Sequence, residues 1–173
     1  FPLVSGTDVQ RYKKLPDRQY ILFPYEISGP SVELIDFSRI EECYPKTAAY
    51  LSANRRKLEC REKGKFKDSQ WYRFGRNQNI GIQNISKLCT PRLVNHLYAT
   101  YDAEGRHFLD NVDVGGIVWR CAHEDQGFEY LLALLNSKLL GWYFPFVSAP
   151  FRGGWMSANR QFLSQLPIRP IDF

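Results

Sequence analysis

Between Arg55 and Arg76 nine basic side chains (Arg55, Arg56, Lys57, Arg61, Lys63, Lys65, Lys67, Arg73 and Arg76) stand against Glu59, Glu62 and Asp68, a local charge of +6. The whole protein carries +5, so this segment holds all of the excess and the remaining residues net −1. Lysines at this density suit a polyphosphate, because each ammonium that neutralises a phosphate releases a condensed counterion. Lys63, Lys65 and Lys67 are flexible point charges and are expected to meet phosphate. Arg73 and Arg76 present planar, multi-donor groups, and Asn77 and Gln78 present amides of the kind that read adenine, so these four are expected to reach base edges. Trp71 and Tyr72, interleaved with the charges, are expected on the same surface. Gly75 and Gly81 would let the loop approach a groove closely. The alternative left open is a solvated charged face over an aromatic core.

Arg152, Trp155, Asn159 and Arg160 form a second group of the same chemistry. Gly153 and Gly154 would let backbone amides near a phosphate, and a helix predicted from Ser157 to Leu163 would point its N terminus there. A packed Trp155 beside a solvated Arg160 is the competing reading.

Other chemistries lack their residues. No G-x-G-x-x-G follows an apolar run, and neither N-P-P-Y nor D-P-P-Y occurs; a methyltransferase needs such motifs to hold its cofactor and its target nitrogen. Gly115-Gly116 and Gly153-Gly154 are the adjacent glycine pairs, and neither has the flanks of a cofactor loop. Pro16-Asp17 has no E-x-K sequel of the kind a metal nuclease uses. Cys43, Cys60, Cys89 and Cys121 are too far apart for a zinc site, and Cys121 with His123 is a single pair; four reduced, mostly buried thiols and no metal are expected. The apolar run from Leu131 to Phe146 is interrupted by Asn136, Ser137 and Lys138, which reads as a core helix and not a membrane span. No export signal opens the chain, which points to the cytoplasm.

These residues have to be positioned by a chain of 173 residues, 44% hydrophobic and 15% aromatic. A domain of that size buries roughly 70% of its unfolded surface. The run 19–25 reads as a strand, and Gly29-Pro30 as a turn. Pro45 opens an amphipathic helix predicted over 44–62, with Tyr44, Ala48, Leu51, Arg55 and Leu58 along one stripe and Lys46, Arg56, Lys57 and Arg61 on the other face. Trp71 to Phe74 suggests a short strand, 97–101 and 106–109 a β-hairpin turning through Gly105, and 112–120 another strand. A buried helix is predicted over 126–143, and an extended segment from Leu166. The coarse picture is one α+β domain over residues 1–173. The start at Phe1 and the single Met156 suggest a piece of a longer polypeptide.

Certain residues also occur in a telling order. Gly6-x-Asp8 with Tyr12 is followed by Tyr20 to Tyr25, Tyr44-Pro45, Tyr50-Leu51, Leu58-x-x-Arg61 and Trp71-Tyr72. Lys87 with Pro91, Tyr101-Asp102-x-x-Gly105, the run Leu131 to Lys138 and Leu166-Pro167-Ile168 continue the series. Taken together the chain resembles the TaqI-like C-terminal specificity domain. That resemblance implies a non-catalytic module that holds and reads double-stranded DNA. It implies an N-terminal S-adenosylmethionine-dependent adenine-N6 methyltransferase domain in the same polypeptide, with a nuclease domain in some members, and no cofactor in the specificity domain itself. It implies no individual base contact. A single-stranded nucleic-acid module or a protein-interaction domain are the other classes that these residues allow.

Overall fold

The apolar run 19–25 does not form one strand, because the chain passes between two compact units inside it. In the computed structural model, which describes residues 1–29, 31–110, 112–120 and 124–169, one unit is Leu22–Ile82 and the other joins Phe1–Ile21 to Gln83–Phe173. Strand β1 (Pro2–Val4) pairs antiparallel with β2 (Gln19–Tyr20) in the larger unit. The next strand, β3 (Tyr25–Ser28), belongs to the smaller one. Both units mix short helices with small sheets, so the α+β class stands.

In the smaller unit β3 pairs antiparallel with β4 (Ser31–Leu34), in register Tyr25 to Leu34. Gly29, at φ +59, takes the left-handed conformation that a tight reversal asks of glycine; Pro30, the other half of the predicted turn, lies outside the described residues. Helix α1 (Phe37–Cys43) follows, then α2 (Pro45–Ala53), α3 (Arg55–Glu59) and α4 (Arg61–Gly64). The single helix predicted over 44–62 is therefore broken twice. At Asn54 the backbone amide is shared between the carbonyls of Tyr50 and Leu51 while its side chain also donates to Tyr50, which tightens and ends the turn. Beyond Cys60, Glu62 and Lys63 both have positive φ, so α4 carries a chain reversal. Ile40, Ala48, Leu51, Trp71 and Tyr72 form the core of this unit. Residues 71–74 make a turn and not the predicted strand.

The larger unit resumes with β5 (Lys87–Pro91), buried along its whole length, and β6 (Leu93–Val94). The hairpin predicted over 97–109 does not form. Strand β7 (Thr100–Asp102) pairs with β5, whereas β8 (Phe108–Leu109) pairs parallel with β1. The turn chemistry itself is right: Gly105 sits at φ +63, and a Cβ there would lie 2.5 Å from the backbone of Ile85. Strand β9 (Val114–Ile117) completes a sheet in the order β7-β5-β9. It is shorter than the predicted 112–120.

Helix α5 (Glu124–Leu135) and helix α6 (Lys138–Val147) replace the continuous helix predicted over 126–143. The break is at Asn136-Ser137, where the Ser137 hydroxyl caps α6 by accepting from the Leu140 amide. Strand β10 (Met156–Ser157) pairs with β6, and α7 (Arg160–Leu163) is one turn long, starting three residues after the predicted Ser157. Leu88, Val94, Leu97, Phe128, Leu135 and Phe144 lie in the principal core. No helix among the described residues is long and apolar enough to cross a membrane.

Candidate nucleic-acid interface

The basic segment belongs to the smaller unit, and its charges divide into those used internally and those left to solvent. Arg61 is internal. Its Nε donates to the Leu58 carbonyl at 2.8 Å, and Nη2 donates to the carbonyls of Trp71 and Arg73, each at 2.9 Å. Its guanidinium also lies 4.3 Å from the centre of the Phe66 ring. This side chain fastens 58–61 to 71–73 and is not the solvated charge that the predicted helix face implied. Each acid of the segment takes one cation: Glu59 holds Arg55 at 2.7 Å, Asp68 holds Arg73 at 2.6 Å, and Glu62 faces Lys65 at 3.5 Å. Hydrogen bonding from Arg73 holds the Asp68 carboxyl below its ordinary range.

Arg56, Lys57, Lys63, Lys67 and Arg76 remain exposed, with no ion pair among the described residues. Lys63 stands at φ +61 directly after Glu62 at φ +46, so the exposed lysine sits in a chain reversal. Asn77 and Gln78 are exposed, and the Asn77 side-chain oxygen accepts from the Tyr25 hydroxyl at 3.4 Å. That hydroxyl also accepts from the Phe74 amide at 2.7 Å, and burial pushes its titration upward.

Trp71 and Tyr72 are core residues and offer no free ring face, contrary to their expected place on the surface. The Tyr72 hydroxyl is spent on the Ile35 carbonyl at 2.7 Å. Gly75 and Gly81 both allow close packing: a Cβ at 75 would meet Glu62 and the Phe66 ring, and one at 81 would lie 2.7 Å from Val32. Arg73, engaged with Asp68 and with the Gln70 carbonyl, is committed to its own loop, whereas Arg76 is not. Arg56 and Lys57 are additional free cations, visible in the sequence as the polar face of the predicted helix.

The second expected group lies in the larger unit. Arg152 and Arg160 are exposed and unpaired among the described residues, and Trp155 is half exposed. Gly153 and Gly154 both have positive φ in a short 3-10 turn (Arg152–Gly154), so glycine is required there by the backbone. Asn159 donates to the Ser157 hydroxyl at 2.8 Å and receives Arg92 at 3.5 Å. The helix expected there, α7, starts later and is a single turn whose N terminus has no side-chain cap.

The larger unit also buries a charged network that the residue types alone did not reveal. Lys87 and Asp102 are directly opposed in the β5–β7 register and paired at 2.8 Å, with side chains 2% and 3% exposed. The Lys87 ammonium also donates to the carbonyls of Gln83 and Ile85, which uses all three of its N–H groups. Asp102 accepts from the backbone amides of Arg106 and His107, and the His107 ring bridges it to Asp17, at 3.0 Å on either side. Burial pushes the Asp102 carboxyl up, but the Lys87 and His107 hydrogen bonds and the Lys87 charge outweigh it and hold it below its usual range. Lys87, Asp102 and His107 are buried and held by partners within the unit, while Asp17 is part exposed.

The thiols differ from expectation as well. Cys43 and Cys60 are exposed, while Cys89 is buried, with its thiol pushed up to about 12 by desolvation. Cys121 and His123 lie outside the described residues, and no cluster of metal-ligating side chains occurs among the described ones. Gly115 and Gly116 lie within β9, and Gly153 and Gly154 join α6 to β10.

These features define a mixed α+β binding domain whose excess charge is gathered in one exposed segment. Residues 1–168 match the family model of the TaqI-like C-terminal specificity domain, and the chain belongs to that family. It is 23% identical over 176 residues to the type II restriction enzyme and methyltransferase RM.Eco57I of Escherichia coli. The alignment takes in 98% of this chain and 18% of that protein.

Proposed function

We propose that the chain reads double-stranded DNA for a site-specific adenine-N6 methyltransferase, or a combined restriction-modification enzyme, whose catalytic domain precedes it in one cytoplasmic polypeptide. S-adenosylmethionine belongs to that other domain, since the glycine pairs here do not fit it. One coincidence carries the reading: a specificity domain whose net charge is concentrated in unpaired cations at Arg56, Lys57, Lys63, Lys67 and Arg76. The exposed lysines suit phosphate, and Arg76 with Asn77 and Gln78 suits base edges. Trp71 and Tyr72, being buried, offer no stacking platform for single-stranded bases.

Binding of a labelled duplex across a salt series tests the reading. The expected outcome is salt-sensitive association with dissociation constants of roughly 10⁻⁴ to 10⁻⁶ M near physiological salt. Affinity indifferent to salt would favour a protein-interaction domain, and stronger competition by single strands than by duplex would favour a single-strand module. Calorimetric titration with S-adenosylmethionine is expected to show no binding.

A further inference from the structure

A second basic cluster stands in the larger unit, at Arg11, Lys13 and Lys14, outside both groups considered above. Its fold is specific. Val9 is buried on one side and Leu15 packs against the same apolar cluster on the other, so both ends of the turn are tied to the core. Thr100 donates its hydroxyl to the Gln10 carbonyl at 2.7 Å, and Lys13 donates its amide to the same carbonyl at 3.3 Å. Arg11 donates to the Leu97 carbonyl at 3.2 Å, which spends it as an internal strut.

The tip between these anchors is Tyr12, at φ +63. That left-handed conformation favours glycine, and a tyrosine held there carries strain that the surrounding hydrogen bonds have to impose. Burial of the ring does not repay it, because Tyr12 is 82% exposed. Lys13 and Lys14 beside it are exposed and have no ion pair among the described residues. The turn forms one wall of an open cleft of about 520 Å³, whose other walls come from β7 and α5. The two lysines outnumber Glu129, the carboxylate that lines it.

We propose that the Arg11–Lys14 turn is a nucleic-acid contact of the larger unit, in which Lys13 and Lys14 neutralise phosphates of the duplex and the Tyr12 ring packs on a sugar or base of the same strand. The inference rests on the DNA-binding reading above. An exposed aromatic tip followed by two free cations matches the chemistry of a nucleotide, which pairs an anion with a flat, partly apolar body.

The test compares variants of the protein for binding to a labelled duplex across a salt series, with melting temperature measured in parallel. Lys13→Ala/Lys14→Ala is expected to make the log–log salt dependence shallower by about two, close to the 0.9 per phosphate of duplex DNA. Tyr12→Ala is expected to weaken binding at least about fivefold with the salt slope kept, and Tyr12→Phe to stay near wild type. Tyr12→Gly is expected to bind as weakly as Tyr12→Ala while melting no lower than wild type, since glycine relieves the strain. A wild-type protein that binds the duplex with normal salt dependence, beside a double lysine variant with an unchanged slope, overturns this proposal and leaves the DNA reading standing. A marked fall in melting temperature for Tyr12→Gly assigns the ring a structural role and overturns its part. A wild type that binds no duplex at low salt overturns the DNA reading, and this proposal with it.

Discussion

Arg61 and Lys87 are both single cations spent inside the protein, and each shows what a charged side chain does when its donors are matched one by one. Arg61 reaches three carbonyls with a planar group that a lysine cannot imitate. Arg61→Lys is therefore expected to cost about 2–3 kcal/mol of stability in urea denaturation, with the smaller unit opening first by hydrogen exchange. The Lys87–Asp102 pair is fully desolvated, so removing one partner strands the other. Asp102→Asn is expected to cost about 3–5 kcal/mol, read as a fall in the denaturant midpoint. The Asp102 carboxyl is depressed in the folded protein, so its contribution is present above the unfolded value near pH 4 and is lost as pH falls through the folded value. Wild type should lose stability steeply below about pH 4. The Asn variant, starting lower, should lose less over that window.

At the scale of elements, the turn between α5 and α6 explains why polar residues interrupt an apolar run. The Asn136 side chain accepts from the Ala99 amide at 3.1 Å and donates to the Ala99 carbonyl at 3.0 Å. It satisfies both backbone groups of a buried residue, as a neighbouring strand would. Ser137 then caps the next helix, and the pair converts one predicted helix into two: α5 packs against β5 and β7, and α6 packs against α5. Asn136→Leu keeps the volume close but leaves two buried polar groups unpaired. A loss of about 2–4 kcal/mol is expected, measured by thermal denaturation, with faster exchange of the Ala99 amide. The turn at Gly105 works by a different cause. There the chain reverses as its residues predict, but each arm finds a better partner than the other: β7 beside β5, and β8 beside β1.

Across the whole molecule, charge and apolar surface are both unevenly placed. Each acid of the basic segment pairs locally, which leaves Arg56, Lys57, Lys63, Lys67 and Arg76 exposed without an ion pair among the described residues. In an intact enzyme carrying this domain, Lys63→Ala is expected to weaken all DNA sequences alike and flatten the salt slope by about one. Arg76→Ala is expected to relax preference at one base pair by about 1–3 kcal/mol, visible in methylation-site sequencing, whereas Arg73→Ala should act mainly through stability. On the larger unit Leu139, Trp142 and Phe146 lie exposed along one side of α6, with the two rings 5.2 Å apart. Such a stripe favours self-association. Trp142→Gln/Phe146→Gln is expected to keep the melting temperature within a few degrees of wild type while lowering the apparent mass in sedimentation at high concentration.

The sequence by itself determined the α+β class, the location of the excess charge, the glycine turns at 29, 105 and 153–154, and a family likeness spread along almost the whole chain. Those depend on local chemistry: composition, positive-φ requirements and the order of short motifs. Pairing partners and burial depend on residues far apart in sequence, and only the tertiary structure decided them. Nothing near Trp71 or Tyr72 marks them as core, since it is Phe37, Ile40 and Leu51 that cover them. Nothing near Arg61 marks the Trp71 and Arg73 carbonyls that occupy it. Lys87 and Asp102 are 15 residues apart and become a buried ion pair only because β5 and β7 lie side by side. The fate of each charge, spent inside or left to solvent, follows from which neighbour the folded chain brings to it, close in sequence for Arg55 and Arg73 and distant for Lys87.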